Sequence, residues 1–309
     1  MTDKLTKITI VIPAHNRKDI TLNCLRQLQL IDNSDINITT VVVDDGSTDG
    51  TSEAIAGKYP DAVVLHGDGN LWWSGATNEG VKWALEHSSD YVLTLNDDVK
   101  FDKDLLKYLL KTSKSNINTI SCGIVCDTRN NKIVSAGKYA NGFFKSEYAS
   151  YLAGCDISYL PKNEYEMGIG CGCAVLIPIS VFKKIGLFDS FKFPHHMGDM
   201  DFLLRARKKE IRIIINPKAR IYTEIGGNYF HSHIVKESML SNIKAFFDIK
   251  STANLRTRYL FYKQHTPYHL GWLVFIYYIL KMISILAAKV ILPREMLYKL
   301  MKRRKKIPI

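Results

Sequence analysis

The chain has 309 residues, 46% hydrophobic and 23% charged, a composition that excludes a disordered chain, a collagen-like fibre and a small disulfide scaffold. Its net charge of +12 is carried unevenly. Residues 1–243 hold 28 basic and 28 acidic side chains, and residues 244–309 hold 14 and 2. A neutral body with a basic, apolar tail points away from nucleic acid and toward an anionic membrane surface.

The N-terminus runs through Thr2-Asp3-Lys4 into an apolar strand without the pattern of a secretory signal. The six cysteines (Cys24, Cys122, Cys126, Cys155, Cys171, Cys173) follow no paired zinc-like spacing, so free thiols in a reducing cytosol are expected. Cys171-Gly172-Cys173 reads as a tight packed turn.

The β-branched run at 8–12 predicts a strand ended by Pro13, and the spacing of Ile20, Leu22, Leu25 and Leu28 predicts a helix over 19–30. A second strand at 39–43 stops at Asp44-Asp45-Gly46-Ser47. A short helix at 51–59, a strand at 62–65, a helix at 75–87 and a strand at 91–95 follow. Strands alternating with helices imply βαβ units, a mostly parallel sheet and ligands at the carboxyl ends of the strands. Asp44-Asp45 and Asn96-Asp97-Asp98 both fall at such ends.

The middle is less regular. Strands are predicted at 120–125, 133–136, 173–177 and 211–215, the last ended by Asn216-Pro217, with helices at 181–185 and 200–209. Residues 139–165 read as a long irregular loop. In the tail, residues 271–292 are long and apolar enough to cross a bilayer. Lys281 and Lys289 interrupt them, and a lysine at the centre of a span costs about 2.5–3.5 kcal/mol. A helix lying in the interface, followed by the basic cluster of residues 294–306, is the expectation.

The acidic pairs carry the chemistry. Two adjacent carboxylates ending a buried strand repel each other and call for a cation. Their oxygens suit Mg²⁺ or Mn²⁺, with a diphosphate completing the shell. The alternative account of Asp97-Asp98 is a turn capping a helix that begins near Asp102. Asp44-Asp45-Gly46-Ser47-Thr48-Asp49 likewise reads as a turn plus cap, or as a carboxylate accepting from a base N–H or ribose hydroxyls.

Taken in order, Ile10-Val11-Ile12-Pro13-Ala14-His15-Asn16-Arg17, Val41-Val42-Val43-Asp44-Asp45-Gly46-Ser47, Asn96-Asp97-Asp98 and Gly198-Asp199-Met200-Asp201-Phe202-Leu203-Leu204-Arg205 resemble a family 2 glycosyltransferase of the GT-A fold over residues 1–230. The stretch from Gly67 to Gly80, with Asn70, Trp72-Trp73, Gly75 and Asn78, looks like the rhamnosyltransferase-like branch, although Thr77 stands where many members carry a basic residue. The resemblance implies that Pro13, His15 and Arg17 line the nucleotide pocket and that Asp45, with Asp44 beside it, reads the pyrimidine. It implies Asp98 as the direct metal ligand, Asp97 nearer the ribose or sugar and also a possible ligand, and Asp199 as catalytic base, supported by Asp201. His195 and His196 would face the acceptor. His231 or His233 would replace a downstream histidine ligand. Trp72 and Trp73 would stack on a sugar or pack under the sheet, and helix capping is the bland account of Asp199 and Asp201.

The expected protein is thus an α/β GT-A domain over 1–243, divided into a nucleotide-sugar half (1–118) and an acceptor half (119–243). A helical, membrane-associating region over 244–309 follows. Its expected function is inverting, metal-dependent transfer from a nucleotide-diphosphate sugar (dTDP-rhamnose or a UDP-hexose) to a glycan or lipid-linked acceptor. That would serve bacterial surface polysaccharide synthesis, in the cytoplasm on the inner face of the membrane. A nucleotidyltransferase and a non-catalytic, membrane-tethered carbohydrate-binding protein are the alternatives. Pro13-Ala14-His15-Asn16 is not the Gly- and Lys/Arg-rich phosphate loop of the first, and intact Asp45, Asp98 and Asp199 argue against the second.

Overall fold

The computed structural model describes residues 5–31, 36–116, 118–141, 147–224, 237–293 and 295–296. The first half is a parallel α/β layer. It comprises β1 (Thr6–Ala14), α1 (Lys18–Leu28), β2 (Ile36–Asp44), α2 (Thr51–Lys58), β3 (Val63–His66), α3 (Trp72–Glu86) and β4 (Tyr91–Leu95). The order β4-β1-β2-β3 is parallel throughout. Ile10, Val11 and Ile12 are fully buried because helices cover both faces, which is why this strand reads as a continuous β-branched run. Register places Ala14 opposite Asp44, so the segments leaving β1, β2 and β4 open on one edge of the sheet.

The second half extends that sheet with mixed strands. It contains β5 (Lys100–Phe101), α4 (Leu105–Ser115), β6 (Thr119–Asp127), β7 (Ile133–Ser135), β8 (Lys138–Asn141), β9 (Glu147–Ser150), β10 (Tyr165–Glu166), β11 (Ala174–Pro178), α5 (Ile179–Ile185), α6 (Gly198–Lys208) and β12 (Arg212–Thr223). The main path runs β10-β12-β6-β11-β4-β1-β2-β3, with β11 inserted antiparallel between β4 and β6. Two expectations change here. Part of the stretch predicted as irregular loop forms the antiparallel hairpin β8–β9. The last strand does not end at Asn216-Pro217. Its pairing with β6 lapses between Ile215 and Arg220 and then resumes. Pro217 has no N–H to donate and sits inside that bulge. The buried Asn216 amide donates to the Tyr108 carbonyl and the Thr112 hydroxyl, tying the bulge to α4.

The tail forms α7 (Met239–Lys244), α8 (Leu255–His265) and α9 (Gly271–Ile291). The expected separation at 243/244 is not a packing boundary. Phe261 and Tyr262 of α8, and Val274, Tyr278 and Met282 of α9, are buried in the same cluster as Phe193 and Phe202. Gly271 permits this, since a Cβ there would collide with the backbone of Tyr262 and Lys263. Helices α8 and α9 are therefore built onto the catalytic layer through their inner faces, and the basic cluster of 294–306 lies almost wholly outside the described residues.

Candidate active site

At the end of β1, the His15 Nδ1 lies 2.5 Å from the carbonyl oxygen of Asp45, and the Asn16 side chain accepts from the Thr48 N–H at 2.7 Å. These bonds lace the first loop to the turn after β2, while Pro13 remains in β1 opposite Val43. Arg17 then reaches across the sheet edge. Its Nη1 is 3.0 Å from Asp97 Oδ1, and its Nη2 is 3.1 Å from Asp98 Oδ2.

Asp44 accepts from the Ser47 N–H at 3.0 Å and from the Ser52 hydroxyl. Asp45 gathers three backbone donors, Gly69 (2.8 Å), Leu71 (3.2 Å) and Trp72 (2.9 Å). The carboxylate expected to read a base thus organises the loop that opens α3 and has few acceptor sites left for a ligand. It also holds Trp72 at φ +56°, a left-handed conformation costly for a bulky residue.

Asp97 is buried and receives the Thr21 hydroxyl at 3.2 Å. Burial pushes its carboxyl up to about 6, with Arg17 pulling down and Asp98 pushing up. Asp98 is partly exposed, with Oδ2 held by Arg17. Among the described residues, no group of three or more His, Cys, Asp or Glu side chains forms a metal cage. This donor set fits a hard divalent cation that takes Asp98 from the protein and its remaining oxygens from diphosphate and water.

Asp199 lies in the first turn of α6, after Met197 at φ +68°. Among the described residues nothing hydrogen-bonds its side chain, and a Cβ at Gly172 would collide with its carboxylate. The Cys173 thiol is pushed up to about 12, first by burial and then by Cys171, Asp98 and Asp199. Gly172 thus packs on the Asp199 carboxylate while the neighbouring Cys173 Sγ lies 3.8 Å from the Asn96 amide, so the 171–173 turn brings Asp199 toward the end of β4 that carries Asp97-Asp98.

Other expected site residues have different tasks. The Asn78 amide pairs with both backbone groups of Phe188, donating at 2.9 Å and accepting at 3.0 Å, so this buried side chain holds the 188 loop rather than a sugar. Gly75 is buried in α3 against Leu71 and Ser190, a packing position. Trp73 donates to Asn96 Oδ1 at 3.0 Å and packs edge-on against Phe188, which selects packing over stacking on a sugar. Asn70 is exposed in the loop before α3. Asp201, expected on the acceptor side, is fully buried. It takes Arg205 Nε at 2.8 Å, Gln264 Nε2 at 2.5 Å and His265 Nε2 at 2.8 Å, clamping α6 to α8. His231 and His233 lie outside the described residues.

His196 Nε2 donates to the Lys250 carbonyl at 2.6 Å, and the His195 ring meets Trp72 edge-on at 5.8 Å. Burial, then His196 and Lys250, lowers His195 from 6.5 to about 4, and burial lowers His196 as well. Between these values unfolding takes up a proton at His195, so its contribution to stability is full above about pH 6.5 and is lost as pH falls toward about 4, while Asp97, raised to about 6, acts in the opposite direction. The test is therefore the difference: in denaturant unfolding, a His195→Asn/His196→Asn variant is expected to lose less stability than wild type as pH falls through this window. An unchanged slope in the variant would contradict the burial-driven shift.

The family model described as "Glycosyl transferase family 2" matches residues 9–186, more than half of the chain. An uncharacterized glycosyltransferase of Rickettsia typhi is 27% identical over 194 residues, covering 61% of this chain and 55% of that protein. One from Rickettsia conorii is 31% identical over 194 residues, covering 62% of this chain and 28% of that protein. The chain thus spans about half or less of the length of these relatives. Among solved structures, the mannosyltransferase PcManGT from Pyrobaculum calidifontis, in complex with GDP-Man and Mn²⁺, aligns with TM-score 0.53 at 16% identity, covering 97% of this chain and 81% of that one. GalNAc-T7 with UDP, GalNAc and Mn²⁺ aligns with TM-score 0.59 at 13% identity, covering 86% and 59%. These two likenesses establish the fold.

Proposed function

The chain belongs to glycosyltransferase family 2, and from that premise we propose that it transfers a sugar, with inversion, from a nucleotide-diphosphate sugar to a glycan or lipid-linked acceptor. The donor is dTDP-rhamnose or a UDP-hexose, and the setting is bacterial surface polysaccharide synthesis at the cytoplasmic face of the membrane. The observation that carries the reading is that the 171–173 turn packs on the Asp199 carboxylate through Gly172 and meets Asn96 through Cys173, next to the Asp97-Asp98 pair that Arg17 bridges. Asp199 has oxygens free to take the proton of an acceptor hydroxyl as that oxygen attacks the anomeric carbon. Arg17 brings positive charge to the mouth of the nucleotide pocket, and Thr21 fixes Asp97 beside it. Asp45 shapes the loop that walls the sugar side. When bound, Mn²⁺ or Mg²⁺ supplies charge stabilisation of the departing diphosphate, and Asp98 would hold it.

The test is nucleotide release. With Mn²⁺ and a panel of dTDP-rhamnose, UDP-hexoses and GDP-sugars, the protein is expected to be stabilised by one donor and to hydrolyse it slowly to the free nucleoside diphosphate. A ligand at about 100 times its Kd adds about 2.7 kcal/mol of stability. No stabilisation and no release with any donor would overturn the reading.

Membrane attachment belongs to the same proposal. The inner face of α9 is occupied by its contacts with the core, while Trp272, Ile276, Leu280, Ile283 and Val290 form an exposed apolar stripe on the other side. This one-sided arrangement supports a helix lying in the interface. Full-length protein is expected to float with anionic liposomes at low salt and to be only partly released by high salt, because apolar contacts survive screening. Leu280→Glu with Ile283→Glu is expected to abolish flotation. Full-length protein that stays free of anionic liposomes at low salt would contradict the attachment.

A further inference from the structure

The tail contributes more than packing, because its Lys250 reaches the ring of Trp72 at the start of α3. Lys250 Nζ lies 5.7 Å from the centroid of the half-exposed Trp72 ring and forms no ion pair among the described residues. The anchor of His196 on the Lys250 carbonyl fixes that backbone. On the same ring, His195 packs edge-on, and its Nδ1 is buried without a hydrogen-bond partner. Arg258 and Lys250 bring two positive charges near the histidine pair, and Asp248 and Asp199 bring two negative ones; of these, Lys250 is the one set over the Trp72 ring. The site is therefore a half-buried aromatic ring whose backbone N–H is held by Asp45, with a lysine ammonium above it that has no ion pair among the described residues.

We propose that Trp72, His195 and Lys250 form an acceptor subsite for a sugar that bears an anionic substituent, a phosphoryl or carboxylate group. The sugar ring lies against the open part of Trp72, which His195 backs from its edge, and Lys250 pairs with the anion. This rests on the glycosyl-transfer reading and deepens it, since it states what the acceptor carries. Lysine meets such a group as a point charge, so the preference is electrostatic and sensitive to salt.

The test is calorimetric titration of the full-length protein, loaded with Mn²⁺ and the nucleoside diphosphate of its donor. The ligands are glucose 1-phosphate, glucuronate, methyl glucoside and inorganic phosphate. One or both anionic sugars are expected to bind about 10-fold more tightly than methyl glucoside, and which one does so separates a phosphoryl from a carboxylate acceptor. Lys250→Gln is expected to erase that preference, and Trp72→Leu to weaken both sugar classes. Lys263→Gln, on the exposed side of α8, is expected to retain the preference. Equal binding of charged and neutral sugars, no sugar binding at all, a preference that survives Lys250→Gln, or inorganic phosphate binding as well as the sugars would overturn the subsite. Nucleotide-sugar binding is measured on the same wild-type sample. A protein that binds donor but shows no acceptor preference refutes the subsite alone, whereas one that binds no nucleotide sugar refutes the transfer reading.

Discussion

Asp199→Asn is expected to lower turnover by about 10²–10⁴-fold, the contribution of one well-placed general base. Donor affinity and thermal stability are expected to stay near wild type. The amide keeps the size of the carboxylate, so the tight approach of Gly172 is undisturbed. Among the described residues the carboxylate accepts no hydrogen bond, so its replacement leaves no partner stranded and the fold loses little. What the amide cannot do is take the acceptor proton. Steady-state kinetics that separate kcat from the donor KM, with a melting curve on the same sample, check this. A donor affinity that falls in step with the rate would place Asp199 in the donor pocket and refute its role as base.

Asp98→Ala is the second large effect. Removing one preorganised charge-stabilising group in an active site costs on the order of 10²–10³-fold in kcat, and a loss of that size or greater is expected in Mn²⁺-supported turnover. Asp98 is partly exposed and, among the described residues, is tied to the fold through Arg17 alone, whereas Asp97 is buried and also holds Thr21. The Asp98 variant is therefore expected to melt close to wild type, and the corresponding change at Asp97 is expected to cost stability too. Raising Mn²⁺ should recover part of the lost rate if the diphosphate still supplies ligands. Near wild-type turnover at ordinary Mn²⁺ would refute the metal assignment.

The parallel half was legible because burial on both faces imposes β-branched runs such as Ile10-Val11-Ile12, and helical spacing shows where α1 and α3 lie. The β8–β9 hairpin was hidden because its sequence is rich in Gly, Tyr and Ser without an apolar alternation. The continuation of β12 was hidden because Asn-Pro ordinarily ends a strand. Here a bulge absorbs Pro217, and the Asn216 side chain ties that bulge to α4.

At the candidate site, residue type did not disclose each side chain's task. Asp98 and Asp199 are partly exposed, whereas Asp97 is buried against Arg17 and Thr21. Asn78 and Asp201 have the same polar character, yet their partners, Phe188 and the Gln264-His265 pair, are far away in sequence, and only the tertiary structure shows that they are fully engaged. Thr21, Lys250 and His265 escaped notice for the same reason, and Gly172 was read only as part of a tight turn. The spacing of Thr21 four residues after Arg17 was a usable signal, since it puts both on the same face of α1, toward the acidic pair. Nothing in the sequence announces Lys250, which reaches Trp72 from the tail.

The most direct measurement is the anomalous diffraction of Mn²⁺ in crystals grown with the hydrolysable donor's nucleoside diphosphate. The account expects one strong peak within bonding distance of an Asp98 oxygen and of the diphosphate. It also expects the nucleotide to run past Pro13, His15 and Arg17, with Asp199 on the opposite side of the sugar position. A nucleotide bound elsewhere, or a metal held by residues other than the Asp97-Asp98 pair, would contradict it.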